Sequence, residues 1–448
     1  MLSTAALRPN DDELVQQLPP ALRAWLTFER FHLHEPQVYQ RVARDPRFDV
    51  KYFPQNCGVY RLPCFQVPRR YLHVIGAVSG GKDSVDDPIC LPIHPSALDS
   101  FREFLRMTGA EPVRGPIWAV ATSSTRTVLA WPDNQPEQAS FLKTSLHSPI
   151  FGDRRVTRIK AGRSVSLSAL VHAELDELPA NLRFLPEPLG FAPRGEPAMG
   201  AIVRAIPREI EEEQVILAPL FSLIGGSGER VPLLLSMLER TDMQPLEFVH
   251  DLLCAPFAKL WLELALDHGL MLEAHGQDLL MALSDDSMPR GCFYYRDFEG
   301  LQVDWELRRC LGKRMPVSLA GQWCWHESYE TLGAHRYADQ LWFKWRISLT
   351  QYLHFVLHQT ETALRAWREE GRIGGASIEP DEITLLFSRC LFDELRRMFG
   401  PVAAAGSDVP YNIYRSLNRF LLLLTKLRRA RLQELRRLDD YSGDLTAA

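Results

Sequence analysis

Two short acidic stretches hold the densest chemistry in the chain. Glu273-Ala-His-Gly-Gln-Asp278 places two carboxylates, an imidazole and an amide within six residues. Tyr295-Arg-Asp-Phe-Glu-Gly300 adds a third carboxylate, Asp297, at the end of an apolar, strand-like run. Mg²⁺ on a nucleotide takes one or two protein carboxylates, and phosphate oxygens and water complete its octahedron. A loop that follows a helix and faces a strand end can supply them. Gly276 lets such a loop turn sharply or approach a ligand closely. The first stretch alone also suits a helix-terminal loop with solvated acids and a capping histidine. The downstream RDFEG favours a metal–nucleotide site.

A second constellation is basic. Ser123-Ser-Thr-Arg-Thr127 precedes Lys143 in SFLKTSL, and the Arg154-Arg155 pair follows. Hydroxyls and cations along a strand–turn–strand unit can grip phosphate oxygens from several sides. Arginine offers planar bidentate contact and lysine a point charge. By itself this reads more readily as a polar hairpin with solvated side chains. Beside the acids, it supplies the cations that a nucleotide cleft requires.

TSSTRT at 122–127, FLKTSL at 141–146 with its following arginine, EAHGQD at 273–278 and YYRDFEG at 294–300 occur in that order. Together they resemble the ATP-binding motifs of the siderophore synthetases independent of peptide synthetases (NIS synthetases, the aerobactin-synthetase type). LPIHP at 91–95 resembles that family's His-Pro segment, and residues 201–223 resemble the entry to its C-terminal half. The likeness spans roughly residues 88–300, with a compatible helical tail.

The resemblance implies a multidomain α/β fold, a cupped hand with a short N-terminal thumb, antiparallel β-rich fingers and a mainly helical, kinase-like palm. ATP would lie between fingers and palm. Ser124, Arg126, Thr127 and Lys143 would contact it from the fingers, and Gln277 and His275 would face the α-phosphate and the reacting carboxylate. Arg155 would touch phosphate and the acid. Glu273, Asp278 and Asp297 would hold Mg²⁺. The implied reaction adenylates a small carboxylic acid and transfers it to an amine or alcohol, and the implied assembly is a homodimer. The chain departs from the family where Asp278 replaces an asparagine. It departs again where Phe151-Gly152-Asp153 stands in place of a Thr-Ser pair that helps bind citrate. Small-molecule kinases also place an HGQD-like loop ahead of an RDFEG-like one. A kinase-like phosphotransferase is therefore the rival reading, with a nucleotide-binding protein that no longer turns over as a third.

The elements that would position these residues can be read coarsely. Residues 1–115 mix helical stretches with segments interrupted by proline and glycine. Residues 116–215 read as mostly strand, through IWAVATSS, RTVLAW, ASFLKTSL and RVTRIKAGRSVSL. From 216 to 448 the spacing of apolar residues turns helical, with a strand–loop insert around CFYYRDFEG. These spans are the expected thumb, fingers and palm.

Composition sets the outer limits. Hydrophobic residues make up 46% and charged residues 24%, as in an ordinary globular chain of 448 residues. The balance of 56 acidic against 51 basic residues gives no general pull toward nucleic acid or membrane. Eight cysteines without a CxxC pair suit reduced thiols, and the start lacks the layout of a signal peptide. Cytoplasm is the expected location. Three further features read as bland. SGGKDS at 79–84 resembles a pyrophosphate loop, but Pro88 and Pro92 would stop its helix, so a Gly-rich turn is expected. KLRRARLQELRR at 426–437 reads as a solvated helix face, and His354 with His358 as part of a packed one.

Overall fold

The computed structural model describes residues 13–31, 52, 58–76, 87–146, 149–150, 153–154, 160–195, 199–212, 215–225, 231–313, 341–400 and 413–445. The turn residues after Pro132 let the runs around it fold back as a meander. Ile117–Ala121, Thr127–Pro132 and Ser140–Thr144 pair antiparallel in succession. Because strand side chains alternate between faces, Val128 and Ala130 pack against Leu62 and Cys64, while Leu129 and Trp131 pack against Trp25 on the other side. Both faces of the central strand are therefore covered.

This meander is the middle of a seven-stranded antiparallel sheet. Its spatial order is Tyr60–Arg61, Ile117–Ala121, Thr127–Pro132, Ser140–Thr144, Ala201–Arg204, Leu189–Pro193 and Leu72–Gly76. Strands from residues 60–76 thus share one sheet with strands from 117–204. A second sheet has the order Leu182–Phe184, Pro289–Tyr295, Leu279–Leu283 and Ile216–Pro219. Its first pair is parallel and the others antiparallel. Helix Pro20–Phe31 sits between the sheets, where Leu22, Trp25 and Leu26 pack with Leu129 and Phe141 of one and Leu217, Leu280 and Tyr294 of the other.

The rest of the described chain is mainly helical and forms the largest core. Helix Ala255–Asp267 is apolar on nearly every side, which is what a helix surrounded by others requires. Glu382–Phe399, the helical segment after Leu341 and the long helix Ile413–Leu445 pack around it through Phe257, Trp261, Tyr352, Phe387 and Phe420. The fold is a mixed α/β one built on antiparallel sheets.

Three readings from sequence are corrected. RVTRIKAGRSVSL is not a strand beyond residue 159, because Lys160–His172 is a helix. Val165 and Leu167 look alternating, but burial at 164–165, 167–168 and 170–171 follows the helical period. His354 and His358 are exposed rather than packed, since the segment Leu353–Leu357 is a π-helical turn that rotates the faces. The basic C-terminal stretch is only partly solvated: Arg428 is buried against Asp304 and Glu306, and Arg431 and Arg436 meet Asp267 and Glu306. SGGKDS at 79–84 lies outside the described residues.

Six described cysteines are free thiols, three of them buried. No described helix is long and apolar enough to cross a membrane. His94, in the LPIHP segment, is buried with Nδ1 2.7 Å from Ser96 Oγ, and burial pushes its pKa down to about 3. A histidine lowered in this way stays neutral when folded but takes up a proton when unfolded below about pH 6.5, so stability falls as pH drops. From this group alone, the unfolding free energy should be about 2 kcal/mol lower at pH 5 than at pH 7. Urea unfolding of the wild type and of His94→Gln, which cannot protonate, should differ in pH slope by that amount.

Candidate functional site

Lys143 stands two residues beyond Phe141 on one strand, so both point to the sheet face that looks toward the second sheet. There its ammonium donates to both oxygens of Asp297, at 2.7 and 2.6 Å, and to Glu299 Oε2 at 3.3 Å. Lys143 is almost fully buried at 2% exposure, which makes this a desolvated contact rather than a surface ion pair. Arg126 approaches the same Glu299 oxygen at 3.7 Å.

The Ser123–Thr127 turn is held by its own hydroxyls. Thr122 donates to the Thr127 carbonyl from both N–H and Oγ1, at 3.1 and 2.8 Å, and Thr127 N–H donates to Ser124 O at 3.2 Å. Thr144 N–H and Oγ1 both donate to the Arg126 carbonyl, at 2.9 and 3.0 Å, locking the turn to the Lys143 strand. Ser124, Arg126, Thr127 and Lys143 therefore belong to one rigid unit.

The acidic loop faces it. Asp297 follows strand Pro289–Tyr295 and adopts φ +75°, a left-handed conformation costing about 1 kcal/mol for a residue with a side chain. Tyr295 Oη donates to its carbonyl at 3.1 Å. Gly300 is required one turn later, because a Cβ there would lie 2.1 Å from Glu273 Oε2. Glu273 also accepts from Gln351 Nε2 at 2.8 Å. Gly276 approaches neighbouring backbone closely, and its carbonyl accepts from Phe221 N–H at 3.1 Å. His275 packs its ring on Phe355, centroids 4.3 Å apart, and its Nδ1 accepts from Gln277 N–H at 3.0 Å. In the neutral ring the proton is then on Nε2.

The electrostatics separate Asp297 from Asp278. Burial works to raise Asp297, but the charges of Lys143, Arg204 and Arg126 outweigh it and hold the carboxyl far below the usual range. Asp278 goes the other way: burial, then the negative Asp297 and Glu273, raise it strongly against the pull of Arg296 and Lys143. Tyr295 is raised by burial and the same acids. The surplus is thus negative around Asp278.

Carboxylate oxygens are the ligands a hard divalent cation prefers, and one bound here would relieve the crowding at Asp278. Among the described residues no group of three His, Cys, Asp or Glu side chains stands ready as a metal site. Both Asp297 oxygens are turned to Lys143. Arg155 lies outside the described residues, and of Arg154 only the backbone strand Asp153–Arg154 is described.

The fold has known relatives. Aerobactin synthetase IucC from a hypervirulent pathotype of Klebsiella pneumoniae matches with a TM-score of 0.56 at 16% identity, over 79% of this chain and 65% of that one. The ATP-bound aerobactin synthetase IucA from the same source gives 0.57 at 15%, over 90% and 78%. The petrobactin biosynthesis protein AsbB from Bacillus anthracis str. Sterne gives 0.59 at 14%, over 81% and 63%. The chain has the fold of the NIS synthetases. It spans less than two thirds of the IucC and AsbB chains. The family model described as "Ferric iron reductase FhuF-like transporter" matches residues 258–322, and no curated protein is significantly similar in sequence.

Several site groups escaped the sequence reading. Glu299 was visible inside RDFEG, yet only the structure makes it the second partner of Lys143 and the partner of Arg126. Arg204 pairs with buried Glu187 at 2.6 Å, and its charge reaches Asp297. Arg163, on the helix mistaken for strand, donates to Leu301 O at 2.8 Å, and it feels the acids Glu299, Glu273 and Asp297. Lys344 is lowered by partial burial and by Arg163, with Glu273 opposing. Arg163 and Lys344 lie in no recognisable motif, and Arg204 lies in the 201–223 stretch without having been singled out.

A raised carboxyl such as Asp278 binds its proton more tightly folded than unfolded, so its contribution to stability is present below the unfolded pKa and is lost as pH rises. Asp278→Asn should therefore raise the thermal midpoint, by more at pH 8 than at pH 5. Thermal unfolding at the two pH values checks both the sign and the trend.

Proposed function

We propose that the chain is a cytoplasmic, ATP-dependent synthetase of siderophore-type biosynthesis that adenylates a carboxylic acid and joins it to an amine or alcohol. One observation carries the reading. Buried Lys143 from the seven-stranded sheet and part-buried Asp297 from the helical half meet at 2.6 Å, flanked by Arg126, Glu273 and Asp278. Cations on one side and hard acids on the other are what a metal-bound triphosphate needs. The NIS fold supports the reading, because one solved member of it is an ATP-bound synthetase.

In this reading residues 1–115 are the thumb, 116–215 the fingers and 216–448 the palm of a cupped hand, and two chains pair as a homodimer. A substrate carboxylate oxygen attacks the α-phosphorus while the bond to the β-phosphate oxygen breaks and pyrophosphate leaves. An amine or hydroxyl then attacks the acyl carbon, loses its proton, and AMP departs with the carboxyl oxygen. Lys143, Arg126 and Arg155 hold phosphate charge, Ser124 and Thr127 orient the triphosphate, and Gln277 and His275, through its Nε2–H, face the reacting oxygens. Mg²⁺ held by Glu273, Asp278 and Asp297 would neutralise phosphate charge. The acid is one for which Phe151-Gly152-Asp153 replaces the Thr-Ser pair of citrate-binding members.

The test is release of pyrophosphate and AMP from ATP and Mg²⁺ across a panel of dicarboxylates, tricarboxylates and amino acids. At least one acid should give acid-dependent release, and Lys143→Ala and Asp297→Ala should each lower it by about 100-fold or more. ADP as the product would replace this reading with a small-molecule kinase.

A further inference from the structure

Glu29 is a fully buried acid on helix Pro20–Phe31, far in sequence from every motif of the site. Its carboxylate accepts from Arg296 Nη1 and, at 3.1 Å, from Arg296 Nη2. It also accepts from Trp25 Nε1 at 3.0 Å and from the backbone N–H of Ser123 at 3.2 Å. Burial alone would raise its pKa, but the Arg296 charge and these hydrogen bonds hold it low, so the group is ionised.

Arg296 carries the connection onward. Its Nε donates to the Gln277 carbonyl at 2.9 Å, its Nη2 reaches Ser123 Oγ at 3.4 Å, and its backbone N–H donates to Asp278 O at 3.0 Å. Gln277 Nε2 closes the ring on Ser123 Oγ at 3.0 Å. The helix, the Ser123–Thr127 turn, the Gln277–Asp278 loop and the start of the Asp297 loop thus meet around one carboxylate. Neither Glu29 nor Arg296 needs to touch a substrate for this to matter.

We propose that Glu29 is a positioning residue: by neutralising Arg296 and holding Ser123, it sets the spacing between the phosphate-gripping turn and the acidic loop. The inference rests on the nucleotide reading of the site. Without the Glu29 charge, Arg296 is left buried and its charge is shared with Asp278, whose carboxyl it already draws down. The turn then loses the charge on its Ser123 N–H anchor, and Arg296 is no longer fixed between Ser123 and the Gln277 carbonyl.

Calorimetric titration of the whole chain with ATP and Mg²⁺ tests this on the wild type, Glu29→Gln, Glu29→Asp and Glu174→Gln. Glu174, just after helix Lys160–His172, is a comparably buried partner of Arg308 at 2.6 Å and controls for the plain cost of breaking a buried pair. Glu29→Gln should weaken binding by about tenfold or more, the scale seen when a group that orients a ligand-holding residue is lost. Glu29→Asp should recover part of it, and Glu174→Gln should bind as the wild type does. Unchanged affinity in Glu29→Gln, or equal weakening in both Gln variants, overturns the proposal. If the wild type binds no nucleotide, the functional reading itself fails. Amide hydrogen exchange then decides the positioning role. Faster exchange at 122–127 and 273–278 in Glu29→Gln alone upholds it, and unchanged exchange refutes it.

Discussion

The ion pair between Lys143 and Asp297 is the contact on which the arrangement of the two halves turns. Two opposite charges taken out of water lose a hydration energy that their attraction repays only with close geometry and further hydrogen bonds. Lys143 meets both oxygens of Asp297 and one of Glu299, and Arg126 adds a second cation to Glu299. Removing Asp297 would leave Lys143 with Glu299 alone at 3.3 Å, and removing Lys143 would leave Asp297 without its hydrogen-bonded cation. That penalty is what ties a strand of the seven-stranded sheet to a loop of the helical half.

The pair is also poised rather than saturated. Asp297 is held ionised, while Asp278 beside it is driven toward its neutral form by burial and by like charges. The left-handed backbone at Asp297 is local strain tolerated at this site, and Gly300 leaves the room that the Glu273 side chain takes. The cost of this strain is met by the large apolar cores on either side.

Much of this was legible in the sequence, for identifiable reasons. The motifs are contiguous, so EAHGQD, RDFEG, TSSTRT and FLKTSL could be recognised as letters, and RTVLAW could be read as a strand. What escaped reading depends on contacts remote in sequence. Glu29 lies 267 residues from Arg296 and has no local pattern that marks it. Arg163 was hidden by a segment whose Val-Ser-Leu-Ser alternation imitates a strand until Leu170 and Val171 restore the helical period. The exposure of His354 and His358 follows from a π-helical turn, which no residue in LHFVL announces. The ion pairs of Arg428 needed the position of Asp304, fixed by a separate helix start.

A crystal structure of the chain with Mg²⁺ and a non-hydrolysable ATP analogue probes the central claim most directly. The triphosphate should lie between the Ser124–Lys143 unit and Glu273, Asp278 and Asp297, with Lys143 Nζ moved from the Asp297 carboxylate onto a phosphate oxygen. An analogue bound elsewhere, with the Lys143–Asp297 contact intact, would contradict the account.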